Sequence, residues 1–255
     1  MRKFIGKVIL TALALGSAPY VFAVQEPPAP RNIKSLTLAE LERAGDERRS
    51  LKDYPEAVRY YQEAIRRDKK NAAFYNKLGL SYMFDDNVDA AKVAFERAVK
   101  LNPRYVNAIN NLGVINFNQK RLSNAVKYFR KAIELEETRA SFHVNLGVVL
   151  FNQRKFELAM KEFARAFELD PDVLERYTRA GVTVQIANTE ERARFYFELA
   201  KVQAQSGDME GCLRRLTAAK EYGYRRLANV YRDELFSPLW NDPRLHEIVA
   251  PPVER

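Results

Sequence analysis

One cysteine and two histidines are all that this chain of 255 residues holds of the side chains that most often bind metals or attack substrates. A single cysteine cannot form an internal disulfide, so packing must supply the stability. Cys212 lies with Leu213, Leu216 and Ala219 on one apolar helical face, which reads as a buried thiol. An intermolecular bridge is the alternative. His143 and His246 are far apart in the chain, and with Cys212 they give no metal-ligand spacing. No GxSxG, Walker-type or GxGxxG sequence is present. The reading is therefore not an enzyme, with no metal and no cofactor. Runs of five or six basic residues are also missing. Lysine and arginine (42) exceed aspartate and glutamate (33), for a formal charge of +9. The two signs alternate along the expected helices, so the surface reads as mixed and solvated, with no nucleic-acid footprint. An acidic peptide, a lipid headgroup or a glycan stays compatible with the excess.

Long apolar runs are absent as well. The longest candidate, Val8 to Val24, spans seventeen residues and is interrupted by Pro19; a helix crossing a bilayer needs about 20. Arg2, Lys3 and Lys7 precede Val8 to Leu15, and Val21-Phe22-Ala23 follows. This is a secretory signal pattern with cleavage after Ala23. Removing three cations from +9 leaves +6 for the mature chain. An uncleaved anchor is the alternative, and membrane contact is expected only through that segment. No cysteine stands near Ala23, which argues against a lipid-modified N-terminus. The expected location is exported, and periplasmic in a bacterium. Residues 24–34, with Pro27, Pro28 and Pro30, read as an extended spacer.

Glycine is scarce too, yet half of the ten glycines fall on one lattice. Gly45, Gly79, Gly113, Gly147 and Gly181 are each 34 residues apart. Ala57, Ala91, Ala125, Ala159 and Ala193 follow them by twelve, and Tyr61, Phe95, Phe129, Phe163 and Phe197 by sixteen. Ala64, Ala98, Ala132, Ala166 and Ala200 follow by nineteen. A fixed period of this size means a stacked array rather than one globular core. Within residues 106–139, Val106, Ile109, Leu112, Gly113, Asn116 and Phe117 recur at helical spacing. After a turn at Lys120-Arg121, Leu122, Ala125, Val126, Phe129, Ala132 and Ile133 do the same. Each unit is thus an antiparallel helical hairpin. The expected close approach sets Gly113 against Ala125 and Ala132, with Phe129 filling the space toward the next hairpin.

The Leu-Gly pair, followed by alanine, an aromatic and alanine at these offsets, resembles the tetratricopeptide repeat. Pro103 and Pro171 match the proline that often closes such a unit; Lys69, Glu137 and Gln205 depart from it. Tyr82 alone matches the usual first-helix tyrosine, and Ala44-Gly45 replaces Leu-Gly in the first unit. The match covers about 38–207. It implies an all-α, right-handed superhelical solenoid with five repeats at 38–71, 72–105, 106–139, 140–173 and 174–207, within an array at 35–207. A sixth, shifted hairpin is expected over 190–222, overlapping the fifth repeat, with Gly223 ending its helix. Residues 223–255 read as a helical cap, broken by Pro238 and Pro243. Gly223 to Leu245 is similar to the segment that closes some bacterial arrays of this family.

The resemblance implies that first helices line a concave groove. The groove positions give Asn76, Lys77, Leu80, Met83 and Phe84 in the second unit. The third gives Asn110, Asn111, Val114, Phe117 and Asn118, and the fourth Val144, Asn145, Val148, Phe151 and Asn152. Asn107 lies one turn before Asn111. Asparagine fills a helix interior poorly, but its amide can clamp an extended peptide backbone. Phe117 and Phe151 would add shallow apolar pockets. The alternative is that these asparagines cap, solvate or bond a neighbouring helix. A basic clamp for acidic C-terminal peptides is only partly present, in Lys77 and Asn111. His143 stands where other units carry Leu41, Tyr75, Ile109 and Tyr177, and reads as a packing residue. The functional expectation is a protein or peptide partner in the groove, in envelope or pilus assembly. A structural or homo-oligomeric role, or service as an accessory subunit, is the alternative.

Overall fold

A computed structural model describes residues 32–174 and 189–251 of the chain. Expectations for the signal segment, for most of the spacer and for Gly181 with its helix lie outside the described residues. Four hairpins follow one another. They are α1 (Leu38–Ser50) with α2 (Tyr54–Arg67), α3 (Ala72–Phe84) with α4 (Val88–Leu101), α5 (Val106–Asn118) with α6 (Leu122–Leu135), and α7 (Ala140–Asn152) with α8 (Phe156–Leu169). A further hairpin pairs α9 (Thr189–Ser206) with α10 (Met209–Glu221). Each helix packs on the one before and the one after it, which is the layout of a solenoid.

Local chemistry sets the helix starts. Thr37 and Glu40 form a reciprocal capping box, with Glu40 Oε2 accepting from the Thr37 amide at 2.8 Å. Asp53, Asn71, Asn87 and Asp208 each accept from a first-turn amide. The turns inside the first four hairpins share one backbone shape. Lys52, Asp86, Lys120 and Arg154 occupy the same lattice place with φ of 60°, 58°, 59° and 61°. In each turn the next amide reaches back five residues to a carbonyl, as from Arg121 to Asn116 at 2.8 Å and Lys155 to Leu150 at 3.0 Å. This left-handed closure normally selects glycine. Among the described residues glycine holds it later in the chain, at Gly207 (φ 81°) and Gly223 (φ 79°).

The lattice glycines serve close packing, against a different neighbour from the one expected. A Cβ on Gly113 would lie 2.5 Å from the ring of Phe129. On Gly45, Gly79 and Gly147 it would lie 2.6, 2.6 and 2.9 Å from Tyr61, Phe95 and Phe163. The first helix is therefore notched for the aromatic of its own hairpin, rather than for Ala125 and Ala132. Phe129 also extends into a cluster with Ala140 and Val144 of the next hairpin.

The far end is closed by short helices at Leu227–Tyr231, Glu234–Leu239 and α11 (Pro243–Ile248). Their Val230, Phe236, Leu239 and Leu245 share a cluster with Cys212, Leu213, Leu216 and Ala219 of α10. Trp240 donates its indole N–H to the Val230 carbonyl at 2.8 Å, so its polar edge is satisfied. Tyr224 stacks on Phe197 at 4.5 Å between ring centres, tying the cap to α9.

Candidate interaction face

The first helices α1, α3, α5 and α7 carry a polar ladder. Asn111 of α5 donates to Asn76 Oδ1 of α3 at 3.2 Å. Asn145 of α7 donates to Asn110 Oδ1 of α5 at 2.9 Å. Lys77 of α3 reaches Glu42 Oε1 of α1 at 2.7 Å. All three rungs obey one rule: the residue two before a lattice glycine bonds the residue three before the preceding glycine. Of the two meanings left open for Asn111 and Asn145, bonding to a neighbouring helix is realised. It leaves part of the Asn111 amide unspent. Asn110 and Asn111 are half-buried, and each makes a single amide hydrogen bond. The Nδ2 group of Asn110 and the Oδ1 atom of Asn111 stay available, a donor and an acceptor on adjacent residues.

At the α1 end the ladder broadens into a charged network. Asp46 accepts from Lys77, from the Tyr61 hydroxyl at 2.7 Å and from Arg49 at 3.1 Å. Burial pushes the Asp46 carboxyl upward, but hydrogen bonds from Lys77, Tyr61 and Arg49 outweigh it, and the net direction is down. Burial works against the charge on Lys77, yet its bonds to Asp46 and Glu42 raise it overall. Tyr61 is raised, by burial first and then by Asp46. The tyrosine in the first aromatic lattice place, where the other units have phenylalanine, thus serves the network with its hydroxyl.

The other expected site residues scatter. Asn118 is exposed at the end of α5. Asn107 accepts from Arg139 at 2.6 Å, across to the start of the next unit. Asn152 donates to the Val148 carbonyl of its own helix at 2.8 Å. The expectation of shallow pockets at Phe117 and Phe151 is corrected. They are 8% and 3% exposed and belong to the core. Phe151 meets Phe156 and Phe195 edge-on at 5.0 and 5.1 Å, so its ring is spent inside the array. Phe84 is the open aromatic at 51% exposure, stacked on Tyr54.

Among the described residues no group of three or more metal-binding side chains exists. His143 is buried, with Nδ1 2.7 Å from Glu162 and Nε2 3.0 Å from the Glu137 carbonyl, so both ring nitrogens are used in packing. Burial pushes the Cys212 thiol up to about 12, which leaves it protonated and inert. A cleft of about 670 Å³ lies off the ladder near Phe156, Met160, Arg194 and Lys201. The rungs escaped column-by-column reading of the sequence because each joins two different columns. Comparing neighbouring columns one unit apart would have found them.

Three family models match the chain. One, described as a TPR repeat, covers residues 45–83, and two described as tetratricopeptide repeat cover 76–140 and 140–173. A curated protein from Arabidopsis thaliana, tetratricopeptide repeat domain-containing protein PYG7, chloroplastic, is 44% identical over 61 residues. That match spans 22% of this chain and 20% of the relative, so the chain accounts for about a fifth of that protein's length. Among solved structures, MamA aligns at 21% identity and TM-score 0.50, over 70% of this chain and 93% of its own. MamA from Desulfovibrio magneticus aligns at 16% and 0.52, over 72% and 94%. YrrB, described as a TPR protein with an unusual peptide-binding site, aligns at 20% and 0.50, over 75% and 89%. At these identities the likeness is one of fold.

Proposed function

This chain belongs to the tetratricopeptide repeat family, and from that premise we propose a non-catalytic scaffold that holds an extended segment of a partner protein along α1, α3, α5 and α7. Repeat proteins of this family bind protein or peptide partners. Fold alone does not choose the partner, so the proposal stands on the ladder. Its rungs fix the amides of Asn110 and Asn111 before any ligand arrives, while leaving a donor and an acceptor free. Pre-fixed polar groups lose little freedom on binding. They suit a peptide backbone, which presents a donor and an acceptor at nearly every residue. That the structural neighbour YrrB is described as having a peptide-binding site supports the reading at the level of the fold.

The scaffold acts outside the cytoplasm, in the cell envelope. This part rests on the signal pattern of residues 1–23, and N-terminal sequencing of the protein from its host tests it. A chain beginning at Val24 supports export with cleavage; one beginning at Met1 points to a retained anchor or no export.

A photo-crosslinking residue placed at Asn118 tests the groove. Asn118 is exposed and its side chain makes no hydrogen bond among the described residues, so the change leaves the array intact. The same residue at Asn124, exposed on α6, is the control. Adducts to one partner from position 118 and not from 124 are expected. Adducts from 124 alone would refute the groove. Against the partner so identified, Asn111→Ala should weaken binding by about 1 kcal/mol, roughly fivefold.

A further inference from the structure

Residues 97–133 contain eight lysines and arginines and no aspartate or glutamate. The fold gathers much of this charge on one surface. Arg97 and Lys100 stand exposed on α4, and Lys127, Arg130 and Lys131 on α6. Val99 of α4 and Tyr128 of α6 border the same apolar cluster around Ile109 and Phe142. In the lattice, Val93, Lys127 and Lys161 hold one place of successive units, and Arg97, Lys131 and Arg165 hold a place one turn further on. The band therefore crosses three hairpins on the outer side of the array. Arg165 is tied to Glu168 at 3.0 Å. None of Arg97, Lys100, Lys127, Arg130, Lys131 and Lys161 forms an ion pair with another described residue. Val93 sits among them at 66% exposure, the most open large apolar side chain of the described residues. Acids interrupt the band in two places: Glu96, held by Lys92 at 3.7 Å, stands beside Arg97, and Glu134, Glu137 and Glu162 line a cleft with Lys161 and Arg165.

We propose that this outer face docks the protein on an anionic lipid surface, leaving the ladder on the opposite helices open to a partner. The chemistry of the face selects that occupant. Its cations are spread over α4 and α6, and the cleft of about 440 Å³ at their edge, where Lys161 and Arg165 stand, is shared with Glu134, Glu137 and Glu162, which does not suit an acidic peptide. A single nucleic-acid strand requires exposed rings to stack its bases. Here Phe95 and Phe129 are buried and Tyr128 is half-covered. A plane of headgroup charge needs neither feature: each lysine or arginine within a Debye length is attracted on its own. Val93 can enter the interfacial layer. No described helix is long and apolar enough to cross a membrane, so the contact is peripheral.

Sedimentation with phosphatidylcholine vesicles, with and without about one quarter phosphatidylglycerol, tests this on the full chain. The N-terminal segment carries Arg2, Lys3 and Lys7, whose own attraction to anionic lipid is the same in every variant and drops out when variants are compared. The ratio of the two partition coefficients should be well above one at about 0.05 M salt and fall toward one at about 0.5 M. Lys127→Glu, Arg130→Glu and Lys131→Glu together should lower it at least about tenfold. Lys52→Glu, Lys69→Glu and Lys70→Glu make the same change in net charge at exposed, unpaired positions elsewhere. They should lower it less than about threefold. Circular dichroism confirms that both variants fold. Equal losses in the two variants would show an effect of net charge only and overturn the proposal. So would a ratio near one for the unaltered protein. Preference for a fluorescent single-stranded oligonucleotide over the anionic vesicles at equal salt would overturn it in favour of nucleic acid.

Discussion

Replacing Gly113 with alanine sets two effects of known size against each other. Glycine inside a helix costs about 1 kcal/mol relative to alanine, so propensity alone predicts a more stable protein. The structure predicts the reverse. The new methyl carbon would lie 2.5, 2.7 and 2.9 Å from three atoms of the Phe129 ring. Carbon atoms pack at about 3.5–4.0 Å, so each contact overlaps by roughly 1 Å. The ring is 1% exposed and hemmed in by Ala125, Ala140 and Val144, and cannot swing away. Overpacking of this kind costs about 1–3 kcal/mol, and here the upper end applies because the helix backbone holds the methyl in place. After the propensity gain, Gly113→Ala should destabilise by about 2 kcal/mol. Phe129→Leu removes the obstacle. In that background Gly113→Ala should be neutral or stabilising by up to about 1 kcal/mol, a coupling of about 2–3 kcal/mol between the two sites. Urea titrations of the four proteins by far-ultraviolet circular dichroism measure it. Midpoints are compared rather than extrapolated energies, because stacked units can unfold in more than one step. If Gly113→Ala raises the midpoint, or lowers it equally in both backgrounds, then the notch is not what selects glycine.

Three further outcomes follow from particular residues. Lys120 has φ of 59°, so Lys120→Gly should raise the urea midpoint, by about 0.5 kcal/mol in energy, and Lys120→Val should lower it by about 1 kcal/mol or more; shifts of the same sign would contradict a left-handed requirement. The Asp46 carboxyl is depressed on balance, so its contribution to stability is complete above its unfolded value of about 4 and is lost as pH falls through the folded one. Thermal midpoints taken from about pH 5 to about pH 3 should therefore fall more steeply for the natural protein than for Asp46→Asn, and parallel curves would count against the network. Cys212, raised to about 12 and fully buried, should react with a thiol reagent at least roughly a hundredfold more slowly in the folded protein than in denaturant. Comparable rates would mean that the cap opens readily.

Helix periodicity and the glycine lattice made the hairpins legible because both follow from local spacing. The identity of the glycine's neighbour was harder. Small residues suggested helix backbones meeting at alanine, whereas the aromatic sixteen residues on fills the notch. The turns were legible as turns but not in shape, since Lys52, Asp86, Lys120 and Arg154 include neither glycine nor asparagine, the residues that usually mark a left-handed backbone. Asn111 and Asn145 stood out as residues that a helix interior does not favour. Their partners did not, because a rung needs the offset between units, which only stacking supplies. Phe117 and Phe151 misled for a related reason. A position that faces the groove in an idealised unit can be covered once the next hairpin packs against it. The acid-free run from Arg97 to Lys131 was visible throughout. Counting short runs of like charge hid it, since its cations are spaced by helical turns and meet only on the folded surface.

The shared turn shape bears on how such an array can change length. Asp86 and Lys120 end on the same backbone conformation, and Asn87 and Arg121 begin their helices in the same place. A chain cut after Asp86 and rejoined at Arg121 would present matching ends, with one period removed and no new joint to invent. The left-handed residue acts as a standard coupling that lysine, aspartate and arginine all fill. Whole periods can therefore be gained or lost by recombination without redesigning what flanks them, while slips of one or two residues break the fit between notch and ring. In this chain, length is quantised.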